Sequence, residues 1–231
     1  MKQILSFLLV LALCPAIASS QIVSEVEKAE GFVPLFNGKD LTGWNPKPAK
    51  VWEIEDGVLY CTGAKGKWVV TEKQYENFVL RLEYKISPKG NSGVFIRCPL
   101  TGRWSRSGME IQILDDHGKP PGRTSSSSIY DVRAPDKNMA KPAGEWNQLE
   151  VTCKGRQMKV VVNGEAVHDI CLDDPELNPK VDMTKYEGKK PNKIPGYIQA
   201  PLAKRAQKGH ISLQNHSSPV WFRKIRIKEL D

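Results

Sequence analysis

Apolar and polar residues alternate along several short stretches of this chain. Every second residue from Phe78 to Ile86 is apolar, and Met109–Leu114 shows the same alternation with Glu110 and Gln112 at its polar positions. A period of two is typical of a strand that buries one face and leaves the other polar. These stretches therefore predict half-buried strands, with Glu110 and Gln112 side by side on a polar face.

Two turn dipeptides, Asp56-Gly57 and Asn163-Gly164, each separate a pair of strand-like runs. Such dipeptides tolerate the positive φ angles of a type I′ turn, so each predicts a two-residue hairpin. Helical patterns are nearly absent. The chain is predicted to be all-β, with two antiparallel sheets packed as a jelly-roll sandwich. The predicted strands are Trp52–Glu55, Val58–Cys61, Trp68–Thr71, Phe78–Ile86, Gly93–Cys98, Met109–Leu114, Trp146–Cys153, Met158–Val162, Glu165–Asp169, His210–Gln214 and Val220–Lys228.

Two connections between predicted strands are long, spanning residues 116–145 and 172–209. Loops beyond about 15 residues are usually functional or disordered. If they are ordered, we expect these two to wall a cleft on one face of a sheet.

The first 20 residues have the pattern of a signal peptide. A charged start at Lys2 precedes an apolar run, Ile4–Leu13, and the small residues Ala16 and Ala18. We predict a signal peptide at 1–20, a single domain at 21–231, and export to the periplasm or the cell exterior. The run is shorter than the roughly 20 apolar residues of a membrane helix, and no later stretch approaches that length, so no membrane-spanning segment is expected.

The charge distribution bears on the binding partners of the chain. The net charge is +8, but the 34 basic residues are spread among 26 acidic ones without a dense basic block, which together with export argues against nucleic acid as a partner.

After export, Cys61, Cys98, Cys153 and Cys171 would lie in an oxidising compartment. One or two disulfides of unreadable connectivity and four buried thiols are equally compatible with the sequence. Their spacing does not suggest a zinc site.

Three groups of motifs carry a family resemblance. They are residues 31–44 (GFVPLFNGKDLTGW); residues 90–97 (GNSGVFIR) with 108–115 (GMEIQILD); and residues 144–147, 162–164, 209–216 (GHISLQNH) and 221–225. In this order they resemble the 3-keto-disaccharide hydrolase family over nearly all of the mature chain. The resemblance implies a concanavalin A-like sandwich that acts on carbohydrates whose sugar is oxidised to a ketone at C3. Lys224 stands where members commonly carry Asn, a change expected on an edge strand.

The polar face around Glu110 is the predicted catalytic site. Glu110 and Gln112 should lie about 6–7 Å apart, and a bulge would bring Asp115 to the same face. The segment is similar to the Glu-x-Asp-x-x-Glu strand of laminarinase-type glycosidases but departs from it at Gln112 and Asp115. These departures argue against ordinary retaining hydrolysis by paired carboxylates.

Elimination from a 3-keto-glycoside needs one base, because the ketone acidifies the C2 proton. Glu110 is the predicted base. Arg97, which alternates with Phe95 on an adjacent strand, is predicted to stabilise the enolate or to bind sugar hydroxyl groups. His216 is predicted to be the acid or a metal ligand. A divalent metal stays an open alternative because Asp, Glu and His residues lie near the proposed site, although no ligand spacing demands one.

The remaining candidates would bind substrate. Gln112, Asp115, Gln214, Tyr130 and Asp131 are predicted to contact sugar. Trp68 and especially Trp104 are predicted to stack on a sugar ring. His117, His168 and His210 are interpreted as loop or strand-surface residues. A carbohydrate-binding module on the same fold is the main alternative, and an adhesive domain is a second, because fold does not decide function. The oligomeric state is not predicted.

Overall fold

The computed structural model describes residues 22–45, 51–101, 104–178, 180, 182–190 and 193–231, so the predicted signal peptide lies outside the described residues. The strands are β1 Val33–Pro34, β2 Trp44–Asn45, β3 Trp52–Glu55, β4 Val58–Cys61, β5 Val69–Thr71, β6 Phe78–Ile86, β7 Asn91–Cys98, β8 Met109–Leu114, β9 Asn147–Lys154, β10 Gln157–Val162, β11 Glu165–Cys171, β12 His210–Leu213 and β13 Val220–Glu229. The short helices are α1 Glu25–Ala29, α2 Trp104–Ser107 and α3 Gly196–Gln199, with 3₁₀ turns at Met183–Tyr186 and Leu202–Lys204.

The strands form two antiparallel sheets. The larger has the order β11-β10-β9-β6-β13-β4-β3, with β1 also paired to β13, and the smaller has the order β2-β5-β12-β7-β8. Each predicted strand is present with ends shifted by at most two residues, and the structure adds β1 and β2. The prediction of an all-β sandwich is confirmed.

The predicted hairpins owe their tight turns to left-handed backbone. Asp56 and Gly57 have φ of 49° and 77°, and Asn163 and Gly164 have φ of 52° and 87°. Both pairs have the positive φ angles that a type I′ turn requires. The turns set the registers of β3 with β4 and of β10 with β11.

The core lies between the two sheets. Alternate residues of β6, from Phe78 to Ile86, are buried against it, as their period predicts. From the smaller sheet, β7 and β8 contribute Val94, Ile96, Ile111 and Ile113. Because every second residue of the smaller sheet faces this core, the intervening residues are left to form its outer face.

Lys224 lies at an irregularity within β13, not on an edge strand as predicted. β13 pairs with β4 and β6, and its register with β6 shifts between Arg223 and Arg226. Lys224 has φ of 49°, a conformation that Asn adopts more readily than Lys. Its ammonium donates to Glu83 Oε1 at 3.0 Å. The position is a bulge whose backbone explains why Asn would suit it.

Cys61, Cys98, Cys153 and Cys171 are free thiols, and the first three are buried. Burial raises the pKa of Cys98 and of Cys153 to about 12. The structure therefore decides for the thiol alternative over disulfides. None of the helices in the described ranges has the length and apolar character needed to cross a membrane.

Candidate functional site

A cleft of about 1060 Å³ lies over the outer face of the smaller sheet. Its floor comes from alternate residues of neighbouring strands, among them Glu110 and Gln112 of β8, Phe95 of β7, and His210 with Gln214 in and after β12. Leu100 and Trp104 wall one side. The predicted shared face of Glu110 and Gln112 is confirmed, although the surrounding loops leave these side chains only 4% and 3% exposed.

Glu110 reaches across a glycine to a residue two strands away. Gln214 Nε2 donates to Glu110 Oε1 at 3.2 Å, although β7 separates β8 from β12. The β7 residue between them is Gly93, where a Cβ atom would lie 2.6 Å from Glu110 Oε1. The missing side chain of Gly93 is therefore what allows the carboxylate of Glu110 to lie over β7.

Gln112 and Gln214 each present a side-chain amide oxygen, a hydrogen-bond acceptor, on the cleft floor. Gln112 Nε2 donates to Asn91 Oδ1 at 3.3 Å, while Gln112 Oε1 and Gln214 Oε1 are buried without a partner in the described part of the chain. Buried polar atoms are nearly always hydrogen-bonded, so such acceptors point to a ligand that supplies donors. Hydroxyl groups of a sugar meet that requirement.

Aromatic side chains form one wall of the cleft. Trp68 packs edge-on against Trp104 with centroids 5.1 Å apart, and its centroid is 4.6 Å from that of Phe95. The indole N–H of Trp68 donates to the carbonyl oxygen of Asn215 at 3.0 Å, which fixes its orientation. Trp68 and Trp104 are thus both at the cleft, as the stacking prediction requires.

Tyr130 lines the cleft on the far side of Glu110 from Gln214. Its backbone N–H donates to the Glu110 carbonyl at 3.0 Å, and Ser127 N–H donates to the Gln112 carbonyl at 2.7 Å. This segment of the first long loop therefore covers the free edge of β8. The prediction that this loop contributes to a cleft wall is confirmed through Tyr130.

His216 and His210 lie at different places in the cleft. His216 is exposed at the rim, whereas His210 is buried, with Nδ1 donating to the Thr71 carbonyl at 2.7 Å. Gln74 Nε2 lies 3.1 Å from His210 Nε2. The prediction of a surface position for His210 was wrong. Its separation of four residues from Gln214 on one strand was the signal that both face the cleft.

Arg97 does not reach the cleft, so its predicted place beside the substrate was wrong. Its φ is 48°, and the register of β7 with β12 shifts nearby, which turns the side chain away from the face of Phe95. The guanidinium is buried and donates to the carbonyl oxygens of Glu76 and Gly155 at 2.7–2.9 Å. Burial lowers its pKa. Arg97 joins three segments of backbone instead.

Asp115 and Asp131 are also placed outside the cleft, contrary to prediction. β8 pairs with β7 without a bulge, so Asp115 turns away from Glu110 and accepts from the Lys89 N–H at 2.7 Å. Asp131 Oδ2 accepts from the Gly196 N–H at 2.6 Å. Each carboxylate ties down a turn or loop.

The second long loop supports the cleft from behind α2. Arg205 is buried, and its NH1 donates to the carbonyls of Ser105 and Gly108 at 3.1 Å. Burial, reinforced by the charge of Arg106, lowers the pKa of Arg205 to about 10. No described residue of this loop lines the cleft, so its predicted role as a wall was wrong. It anchors the helix that carries Trp104.

His168, predicted at a surface, is buried in the larger sheet. Nε2 donates to the Ser127 carbonyl at 2.8 Å, and Nδ1 accepts from Arg133 at 2.6 Å. Burial lowers its pKa to about 4. Within the described ranges, His, Cys, Asp and Glu side chains do not form a group of three or more that could hold a metal ion.

Comparisons with known proteins match this chain over most of its length. The family model described as 3-keto-alpha-glucoside-1,2-lyase-like domain matches residues 31–228. A curated 3-keto-disaccharide hydrolase of Bacteroides thetaiotaomicron is 27% identical over 234 residues, which cover 88% of this chain and 80% of that protein.

Solved structures also match this chain over most of its length. A crystal structure from Parabacteroides distasonis, classed as a candidate glycosyl hydrolase, is 31% identical with a TM-score of 0.73, covering 90% of this chain and 98% of that one. An endo-β-1,3(4)-glucanase of family GH16 shares the fold at 10% identity, with a TM-score of 0.51 over 86% of this chain and 95% of that one.

Proposed function

The chain belongs to the 3-keto-alpha-glucoside-1,2-lyase-like domain family, and from that membership we propose that it cleaves 3-keto-glycosides, including disaccharides, in the cleft over the smaller sheet. The prediction of a glycoside-cleaving enzyme is confirmed by the family and the curated relative. The observation that supports this cleft as the site is Glu110. Its carboxylate is buried on the cleft floor, accepts a hydrogen bond from the Gln214 amide, and shares the cleft with Gln112 and the aromatic wall.

The first step is removal of the C2 proton by Glu110. The C3 ketone draws the electron pair of the broken C2–H bond into an enolate, so one carboxylate is a sufficient base. The pair then forms the C1–C2 double bond and expels the C1 oxygen, which takes a proton as it departs. His216 at the cleft rim supplies that proton.

Addition of water completes the reaction. The oxygen of water bonds to C1 and gives up one proton to His216, while the proton held by Glu110 returns to C2. The sum is hydrolysis of the glycosidic bond to a 3-keto sugar and the free alcohol, without net oxidation. A single carboxylate can act twice because it gives back in the second step the proton taken in the first.

The enolate oxygen needs a hydrogen-bond donor. Arg97 does not supply it, because its guanidinium donates to backbone carbonyls outside the cleft. Tyr130 lines the cleft next to Glu110 and carries a phenolic O–H. We assign it as the donor to the C3 oxygen. Donors placed at a developing oxyanion commonly contribute about 10²–10³-fold in rate.

The decisive experiment compares a 3-keto-disaccharide with its unoxidised parent, following released sugar by mass spectrometry. We expect turnover of the keto form alone and a loss of at least about 10³-fold in Glu110→Gln. Glu53→Gln, at an exposed position on β3, is the matched control and should keep full activity. Binding of sugar without turnover of either compound would favour the carbohydrate-binding module.

Export to the periplasm or the cell exterior is also part of this proposal. Its support is the pattern of residues 1–20, a charged start followed by an apolar run. Cell fractionation with N-terminal sequencing of the recovered protein tests it, and a cytoplasmic protein that retains Met1 would contradict it.

A further inference from the structure

Two buried amide oxygens on the cleft floor have no hydrogen-bond partner among the residues that the structure describes. They belong to Gln112 and Gln214, which are 3% and 6% exposed. A buried acceptor without a donor is costly, so native proteins rarely keep one without a purpose. Both line the same cleft as the carboxylate of Glu110.

The orientation of the Gln214 amide follows from its neighbour. An ionised carboxylate can only accept hydrogen bonds, so the Gln214 atom that faces Glu110 Oε1 at 3.2 Å is the nitrogen. The oxygen is then the end of the amide directed away from Glu110. In Gln112, too, the nitrogen is the hydrogen-bonded end of the amide, because it donates to Asn91 Oδ1.

We propose that Gln214 Oε1 accepts a hydrogen bond from the hydroxyl group on C2 of the oxidised ring, and that Gln112 and Gln214 together exclude the C3 carbonyl from their side of the cleft. This inference rests on the proposed function. A ketone oxygen is an acceptor without a proton, so it is repelled by two amide oxygens, whereas a hydroxyl group satisfies them.

C2 is singled out by the position of Gln214. Its amide is hydrogen-bonded to the carboxylate that removes the C2 proton, so the sugar hydroxyl nearest to this amide is the one on C2 itself. The same bond helps to hold Glu110 in place. The substrate class is therefore an α-hydroxyketone, a 3-keto-glycoside whose C2 hydroxyl group is free, and the C3 oxygen faces the opposite side, toward Tyr130.

The test is a cycle of two enzymes and two substrates. The kcat/KM of the wild type and of Gln214→Met, which keeps the side-chain length without an acceptor amide, is measured on a 3-keto-glycoside and on its 2-deoxy analogue. The intrinsic difference in reactivity between the two substrates is the same for both enzymes and cancels. We expect the preference for the hydroxylated substrate to shrink about 10- to 100-fold in Gln214→Met, because the wild type leaves a buried acceptor unpaired with the analogue.

An equal preference in both enzymes would overturn the inference while leaving the proposed function intact. Absence of turnover by the wild type on either substrate would instead refute the proposed function. If Gln214→Met turns over too slowly, calorimetric binding of the 3-keto sugar product and its 2-deoxy form supplies the same ratio. Gln112→Met is the matched control, and its preference at C2 should stay within about threefold of the wild type.

Discussion

Replacing Gly93 by alanine adds one methyl group beneath the carboxylate of Glu110. That Cβ atom would lie 2.6 Å from Glu110 Oε1 and 3.0 Å from its Cγ. Ordinary contacts between non-bonded heavy atoms are about 3.5–4.0 Å, so the carboxylate must retreat by roughly 1 Å. Its hydrogen bond with Gln214 is lost in the same movement.

The expected effect is on catalysis far more than on folding. A misplacement of about 1 Å costs about 10²-fold in rate, which corresponds to about 2.7 kcal/mol of transition-state stabilisation. Alanine is favoured over glycine in a strand by roughly 0.5–1 kcal/mol, which offsets part of the steric cost because the end of the Glu110 side chain can move. The midpoint of thermal unfolding should change by only a few degrees.

The assay is kcat/KM for a 3-keto-disaccharide, with thermal unfolding measured on the same samples. Gly122→Ala is the matched control, because no atom of the described residues lies within 4 Å of a Cβ at that position and its φ is not left-handed. If Gly93→Ala keeps kcat/KM within about threefold of the wild type, the placement of Glu110 over Gly93 is not what supports the reaction.

Three further predictions concern a support of the cleft, its aromatic wall and a buried histidine of the larger sheet. Arg205→Lys loses the paired hydrogen bonds to the carbonyls of Ser105 and Gly108, so kcat/KM should fall about tenfold or more. The NH2 of Arg156 donates to the Leu202 carbonyl of the same loop, and Arg156→Lys should leave kcat/KM unchanged. Equal losses in both variants would contradict a specific role of Arg205 in positioning Trp104. Trp104→Ala should raise KM about tenfold with little change in kcat, and an unaltered KM would exclude stacking on substrate. His168 stays neutral in the fold, with a pKa of about 4 against an ordinary 6.5. Its contribution to the free energy of unfolding is therefore complete above pH 6.5 and falls by roughly 3 kcal/mol as the pH drops toward 4. Urea unfolding at pH 7 and pH 4.5 should show this loss in the wild type, and the same pH dependence in His168→Gln would refute it.

The sequence by itself determined the strands and the shared face of Glu110 and Gln112. The pleat of a strand sends successive side chains to opposite faces, so the alternation in Met109–Leu114 predicts which residues lie together. The same argument applied to Gln214 would have placed His210 in the cleft. The hairpins at Asp56 and Asn163 were predictable because their turns need φ angles that few residues tolerate.

Other features were decided by the tertiary structure alone. A left-handed residue within β7 turned Arg97 into the interior, and the absence of a bulge in β8 turned Asp115 toward Lys89. The meeting of Glu110 with Gln214 over Gly93 joins residues 104 positions apart. Alternation specifies a face within one strand, but which strands become neighbours, and which glycine leaves room between them, depends on packing of the whole chain.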